Sequence, residues 1–183
     1  MAQPAYQFPD YWTEADLDSL PDDGHRYEIL DGSLHITPLA DGYHQSIGLA
    51  LAVLLRTAAP SGCRVLPELG VRVPGGNFVP DLVVLEPGAD LGATWHDPQQ
   101  IALVVEVASP STEVNDKTSK AFKYAEAGIP AYWRVARDGT ITVHALVDQG
   151  QYGIVTTVKP GTTWTASLPF PVTLEPDALV ADF

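Results

Sequence analysis

Two acids in this sequence sit in surroundings where an unpaired carboxylate is costly. Glu106 lies among valines in "LVVEVA", and Asp81 follows Pro80 at the start of "DLVVLE". Burying an ionised carboxylate is unfavourable unless it is paired, hydrogen-bonded or bound to a cation. Three partners would satisfy Glu106: an Arg or Lys, a backbone amide, or a divalent ion. The two acids are 25 residues apart, room for a strand, a loop and an antiparallel return that lets them meet at a sheet edge. Together they offer hard oxygen ligands. Such ligands suit Mg²⁺, with Mn²⁺ as a substitute, better than Zn²⁺, which favours the His and Cys missing from this neighbourhood. A third element follows at Asp116, Lys120 and Tyr124, whose four-residue spacing lines one face of a helix, with Lys123 close to it. Helical side chains lean toward the helix N-terminus, which is where "LVVEV" ends, so Lys120 is the cation best placed to hold a water or a phosphate oxygen. A surface ion pair between Asp116 and Lys120 is the competing account of the same spacing.

The elements that must position these residues are legible as patterns. "TEADLDSL" reads as a short helix with Thr13 and Asp16 in a capping box. "RYEIL" and "SLHIT" alternate around Asp31 and Gly32 as a hairpin. A long buried helix runs from a capping Asp41 to Pro60. "CRVLPE", "GVRVP" and "DLVVLE" read as strands, "PGGN" (74–77) as a turn, and residues 87–100 as loop. "IALVVEVA" is apolar on both faces, as a central strand should be. The basic helix follows at about 113–127 and stops at "GIP"; "AYWRVA", "TITVHALV" and "YGIVTTV" are β structure, and "TLEPDALVADF" holds one helical turn. The class is α/β or α+β, one domain over 1–183, with a motif-bearing core at about 26–135 and a C-terminal β region at 140–183.

Length and composition agree with one globular unit: 183 residues, 45% of them hydrophobic. The formal charge of −13 works against a nucleic-acid partner, whose phosphates draw on Lys and Arg. Yet Lys117, Lys120, Lys123, Arg134 and Arg137 are five of the ten cations, with Glu126 the one acid between them. Local field and net charge therefore disagree. Cys63 is the single cysteine, a small hydrophobe with no internal disulfide to make. The N-terminus has no signal-peptide pattern and "LALAVLL" (49–55) is too short to span a bilayer, so a cytoplasmic protein without a membrane partner is expected. His25, His35, His96 and His144 share no motif and read as structural, whereas His44 opens the long helix and could reach a phosphate. Ser109 and Ser111 lack the glycines of a nucleophile elbow. Tyr132 and Trp133 read as core, with base stacking the alternative. Edge strands and the C-terminal β region suit a homodimer.

The ordered set "PDLVVLE", "LVVEVASPST", Asp116, Lys120 and Tyr124, then "AGIPAYWRV", with "YEILDG" (27–32) and the His44 helix ahead of it, resembles the Uma-type (Uma-two) family of restriction-endonuclease-like proteins. That family belongs to the PD-(D/E)XK nuclease-like superfamily. The resemblance spans about 26–135 and implies a mixed central sheet flanked by helices and a Mg²⁺-dependent DNA endonuclease site. It implies Asp81 and Glu106 as metal-binding acids and Glu28 as an acid that completes the site. Lys117, Lys123, Tyr124 and His44 are the further candidates for contact with nucleic acid. One departure stands out: the superfamily lysine two residues after the second acid is Ala108 here. The resemblance implies that Lys120, on the following helix, takes that role. A non-catalytic binding or assembly module of the same fold is the alternative, and a hydrolase of a small phosphorylated substrate a weaker third.

Overall fold

The computed structural model describes residues 9–108, 116–148 and 150–181, excluding the side chains of 116–118. After the short helix α1 (Glu14–Leu17), strands β1 (Arg26–Leu30) and β2 (Ser33–Thr37) form the hairpin around Asp31 and Gly32. Both turn residues have positive φ, 47° and 78°, the left-handed geometry that a two-residue hairpin turn requires. Helix α2 (Gly42–Ala58) starts where the Asp41 carboxylate accepts the His44 N–H at 2.9 Å, a side-chain cap for an otherwise unpaired amide. Strands β3 (Arg64–Pro67), β4 (Gly70–Val73), β5 (Gly76–Phe78), β6 (Leu82–Leu85) and β7 (Trp95–His96) follow. A 3₁₀ turn (Pro98–Gln100) then leads into β8 (Ile101–Val107). Beyond it come α3 (Asp116–Glu126), β9 (Ala131–Val135), β10 (Ile141–Asp148), β11 (Gln151–Val158), β12 (Trp164–Ala166), β13 (Val172–Leu174) and α4 (Pro176–Leu179).

Among the described residues the strands form a six-stranded sheet, β11-β10-β9-β8-β6-β3, a five-stranded sheet, β2-β1-β5-β4-β7, and the β12-β13 hairpin. The larger sheet is mixed. β8 and β9 run parallel, joined through α3, while its other neighbours are antiparallel. The mixed α/β class and the mixed sheet are as expected, and a five-stranded sheet stands beside it. The Pro74–Asn77 turn is also shorter than expected, since Gly76 and Asn77 belong to β5. Within the predicted loop 87–100, β7 pairs with β4 in parallel; two residues are too few to show a period.

The core explains why β8 is apolar on both faces. Leu103, Val105 and Val107 pack on the α2 side with Ile47, Leu51 and Leu55, a stripe that recurs every four residues. β13 and α4 complete that side with Val172, Leu174 and Leu179. Val104 faces the opposite cluster, with Val71 and Phe78 of the smaller sheet and Tyr124 of α3. Cys63 is half-buried and packs against the first cluster. No helix among the described residues is long and apolar enough to cross a membrane.

Two glycines separate backbone approach from open space. Gly76 sits opposite Leu30, where β5 meets β1, and a Cβ there would run into the Ile29 carbonyl. Gly48, within α2, has nothing near such a Cβ. Gly76→Ala should lower unfolding free energy by on the order of 2 kcal/mol. Gly48→Ala should raise it by about 0.5 kcal/mol through helix propensity. Urea unfolding followed by circular dichroism checks both signs.

Candidate active site

The site begins on β1. Arg26 and Glu28 are two residues apart on a strand, so they project from the same face. They grip the bend Val79-Pro80-Asp81 from both sides: Val79 N–H donates to Glu28 Oε1 at 2.7 Å, and Arg26 Nη1 donates to the Val79 carbonyl at 2.9 Å. Pro80 has no N–H to satisfy and restricts φ in this bend. The same Arg26 Nη1 is 2.8 Å from Asp81 Oδ1. Asp81 is thereby fixed at the mouth of β6, only 7% exposed.

β6 and β8 pair antiparallel with Leu82 opposite Val105, and continuing that register by one residue sets Asp81 opposite Glu106. The expected antiparallel return is present, although its place is corrected: β6 and β8 are interior strands, between β3 and β9, rather than a sheet edge. The backbone amide of Val107 donates to Asp81 Oδ2 at 2.7 Å, and His44 Nε2, brought by α2, lies 3.1 Å from the same oxygen. From α3, the Tyr124 hydroxyl donates to Glu106 Oε1 at 2.9 Å. One turn earlier, Lys120 Nζ reaches both oxygens of Glu28 at 2.7 Å and Glu106 Oε1 at 3.5 Å. Phe78 supports both helix residues, its ring meeting Tyr124 edge-on at 5.5 Å and lying 5.4 Å beneath the Lys120 ammonium.

Burial pushes the Glu106 carboxyl up to about 7; Lys120 opposes the rise, and the neighbouring Asp81 and Glu28 charges add to it. Asp81 goes the other way. Its burial favours the neutral form, but the His44 hydrogen bond, the Arg26 charge and the Val107 amide together hold it below the usual carboxylate range. The hydrogen bond to Asp81 raises His44. Lys120 stays a cation: burial alone would lower it, and the Glu106 and Glu28 charges outweigh that. The Tyr124 phenol is held well above its ordinary value by burial and by Glu106.

Among the described residues no three His, Cys, Asp or Glu side chains converge into a complete metal cage. What fits a hard divalent ion is the facing pair Asp81 and Glu106, since Mg²⁺ needs only one or two carboxylates beside water and phosphate. The Asp81 and Glu28 charges that add to the burial of Glu106 are crowding that a divalent cation would relieve. Both oxygens of Glu28 are engaged by Lys120 and the Val79 amide.

Of the other residues singled out in sequence, Tyr124 is fully buried; its hydroxyl serves Glu106, which corrects its expected place as a nucleic-acid contact. Lys123 pairs with Asp31 at 2.7 Å and Glu126 at 3.6 Å. The side chains of Asp116 and Lys117, together with Ser109 and Ser111, lie outside the described residues. Tyr132 and Trp133 are buried. Arg26 was missed by sequence reasoning, though a signal existed: it stands two residues from Glu28 on the same strand.

A family model described as "Uma2: Putative restriction endonuclease" matches residues 14–181. The chain belongs to this family. Among solved structures, the Uma2-family chain is similar to a crystal structure titled as a putative nuclease belonging to DUF820 from Anabaena variabilis. The TM-score is 0.72 and the identity 16%, over 91% of this chain and 96% of that one. At that identity the likeness concerns the fold. No curated protein matches the chain.

In this Uma2-family chain the residue two beyond Glu106 is Ala108, whose N–H closes the parallel ladder by donating to the Val135 carbonyl at 2.7 Å. The lysine at the acids is Lys120, one helix away.

The raised Glu106 value carries a pH dependence with a definite sign. A carboxyl whose folded pKa exceeds its unfolded one binds more protons in the native state, so stability is full below the unfolded value and falls as pH rises through the folded value. Without divalent ions, Glu106→Gln should be more stable than wild type at pH 8, and that advantage should vanish toward pH 4.5. Urea titrations at a series of pH values read it directly.

Proposed function

We propose that the protein is a Mg²⁺-dependent endonuclease that hydrolyses phosphodiester bonds of DNA. The observation that carries this reading is Lys120 Nζ, held between Glu28 and Glu106 on the side of β8 where Glu106 faces Asp81. Asp81 and Glu106 would hold the ion, which when bound polarises a phosphoryl oxygen and lowers the pKa of a bound water. The chain's own residues supply the rest. Glu28 holds the Lys120 ammonium in one place, and its charge is then available to a phosphate oxygen as negative charge builds there. Tyr124 fixes the orientation of Glu106 from a buried position, so the carboxylate needs little rearrangement before reaction. Arg26, His44 and the Val107 amide keep Asp81 ionised. The chain's acidic total disfavours sequence-independent binding, so the substrate is engaged locally at the site rather than along an extended basic groove.

The alternative, a non-catalytic binding or assembly module, draws on a different observation: Arg26, His44 and Lys120 already partner the three acids. Cleavage assays separate the two readings. Supercoiled, linear and branched DNA would be incubated at low salt with Mg²⁺ or Mn²⁺. Wild type should nick or cut at least one of these, while Asp81→Ala and Lys120→Ala should each fall by roughly a hundredfold or more. Cleavage that persists in Asp81→Ala sinks the assignment. A wild type that cuts none of them, with an unchanged melting temperature on adding the metal, supports the module instead.

A further inference from the structure

The Arg26 guanidinium spans two carboxylates of different character. Nη1 holds the buried Asp81 at 2.8 Å and the Val79 carbonyl at 2.9 Å, whereas Nη2 lies 3.4 Å from Glu68 Oε1, a looser contact with a side chain that is 56% exposed. Glu68 is not a passing neighbour. It occupies the turn between β3 and β4 with a φ of 49°, uncommon for a residue with a Cβ. Its N–H lies 3.3 Å from the carbonyl of Asp81 itself. The acid at the rim and the acid in the site are thus tied through the backbone, with Arg26 bridging their side chains.

This geometry creates a competition. Asp81 Oδ2 is occupied by the Val107 amide and His44, and Oδ1 by Arg26. A divalent ion that uses the Asp81 carboxylate therefore meets a resident cation first, and two cations do not share one carboxylate oxygen without repulsion. The Val79 carbonyl gives the guanidinium a pivot, and Glu68 gives it a second anion to turn toward.

We propose that Arg26 is a displaceable counter-cation: it neutralises Asp81 while no divalent ion is bound, and swings onto Glu68 when an ion takes the Asp81 carboxylate. This rests on the metal-binding part of the reading above. It adds that the resting site is kept in charge balance by an arginine with a built-in place to go. Arg26 is in this sense a positioning residue for the ion, and Glu68 sets how easily it leaves.

Isothermal titration with Mn²⁺ alone, at fixed pH and ionic strength, tests the exchange without relying on activity. Arg26→Gln, which removes the competitor, should bind Mn²⁺ roughly tenfold tighter than wild type. Glu68→Gln, which removes the alternative anion, should bind it several-fold more weakly. The double variant should match Arg26→Gln, because no guanidinium then needs relocating. A purely structural arginine predicts no such opposition of signs. Arg26→Gln that melts like wild type yet binds Mn²⁺ no more tightly overturns the proposal, as does a Glu68→Gln effect that persists in the double variant. Should Arg26→Gln fail to fold, Glu68→Gln at the exposed rim decides alone, and unchanged affinity there overturns the exchange. Wild type that binds Mn²⁺ but cuts no DNA defeats the nuclease reading while leaving the exchange standing. Absence of Mn²⁺ binding in both wild type and Arg26→Gln defeats the exchange itself.

Discussion

Three carboxylates, Glu28, Asp81 and Glu106, share one largely buried space, and their mutual repulsion is the constraint to which the rest of the molecule answers. Desolvating an ion costs several kcal/mol in a protein interior, and like charges brought together add to that cost. The chain meets it with groups drawn from separate elements: Arg26 from β1, His44 from α2, Lys120 and Tyr124 from α3, and the amides of Val79 and Val107. No single supersecondary unit holds a balanced set. The site is therefore satisfied only when both sheets and both long helices are docked, and local electrostatics becomes a condition on the tertiary fold.

Packing supplies the precision that this balance needs. The stripe Ile47, Leu51 and Leu55 seats α2 on one face of the larger sheet, which brings His44, at the start of that helix, over Asp81. On the opposite face Phe78, Tyr124 and Tyr132 belong to one buried cluster, and Phe78 touches both the Lys120 ammonium and the Tyr124 ring. The two helix residues are separated by one turn, so a single contact surface orients both. A lysine presented in this way is set by the docking of α3, whereas one on β8 would have been set by strand register.

Much of this was legible in the sequence because it rests on local rules. The Asp31-Gly32 hairpin, the Asp41 cap and the four-residue spacing of Lys120 and Tyr124 each have a short-range physical cause, and each is found in the fold. The antiparallel return from Asp81 to Glu106 was also readable, because acids set in apolar strands are rare enough to point at each other. What escaped depended on distant partners. β7 is too short to carry a pattern, and the second sheet forms because β1 finds β5 across 46 residues of chain, between Leu30 and Gly76. Arg26 had only its two-residue spacing from Glu28 to point to it: an arginine on a hairpin strand looks exposed until Asp81 arrives from 55 residues away. Tyr124 was misplaced at the surface because its periodicity specifies a face, and only tertiary contact tells which face is inside.

The hydrogen bond from Val107 to Asp81 joins the main chain of β8 to the site's chemistry. Val107 lies just past the last β6–β8 pair, Leu82 with Val105, and its N–H donates to a carboxylate there. An amide proton held by a charged acceptor is deshielded according to how much negative charge the acceptor keeps. Whatever else comes to share that oxygen draws charge from it. The backbone resonance of Val107 is thus a native reporter of site occupancy, readable by NMR without a label near the acids and without any substrate.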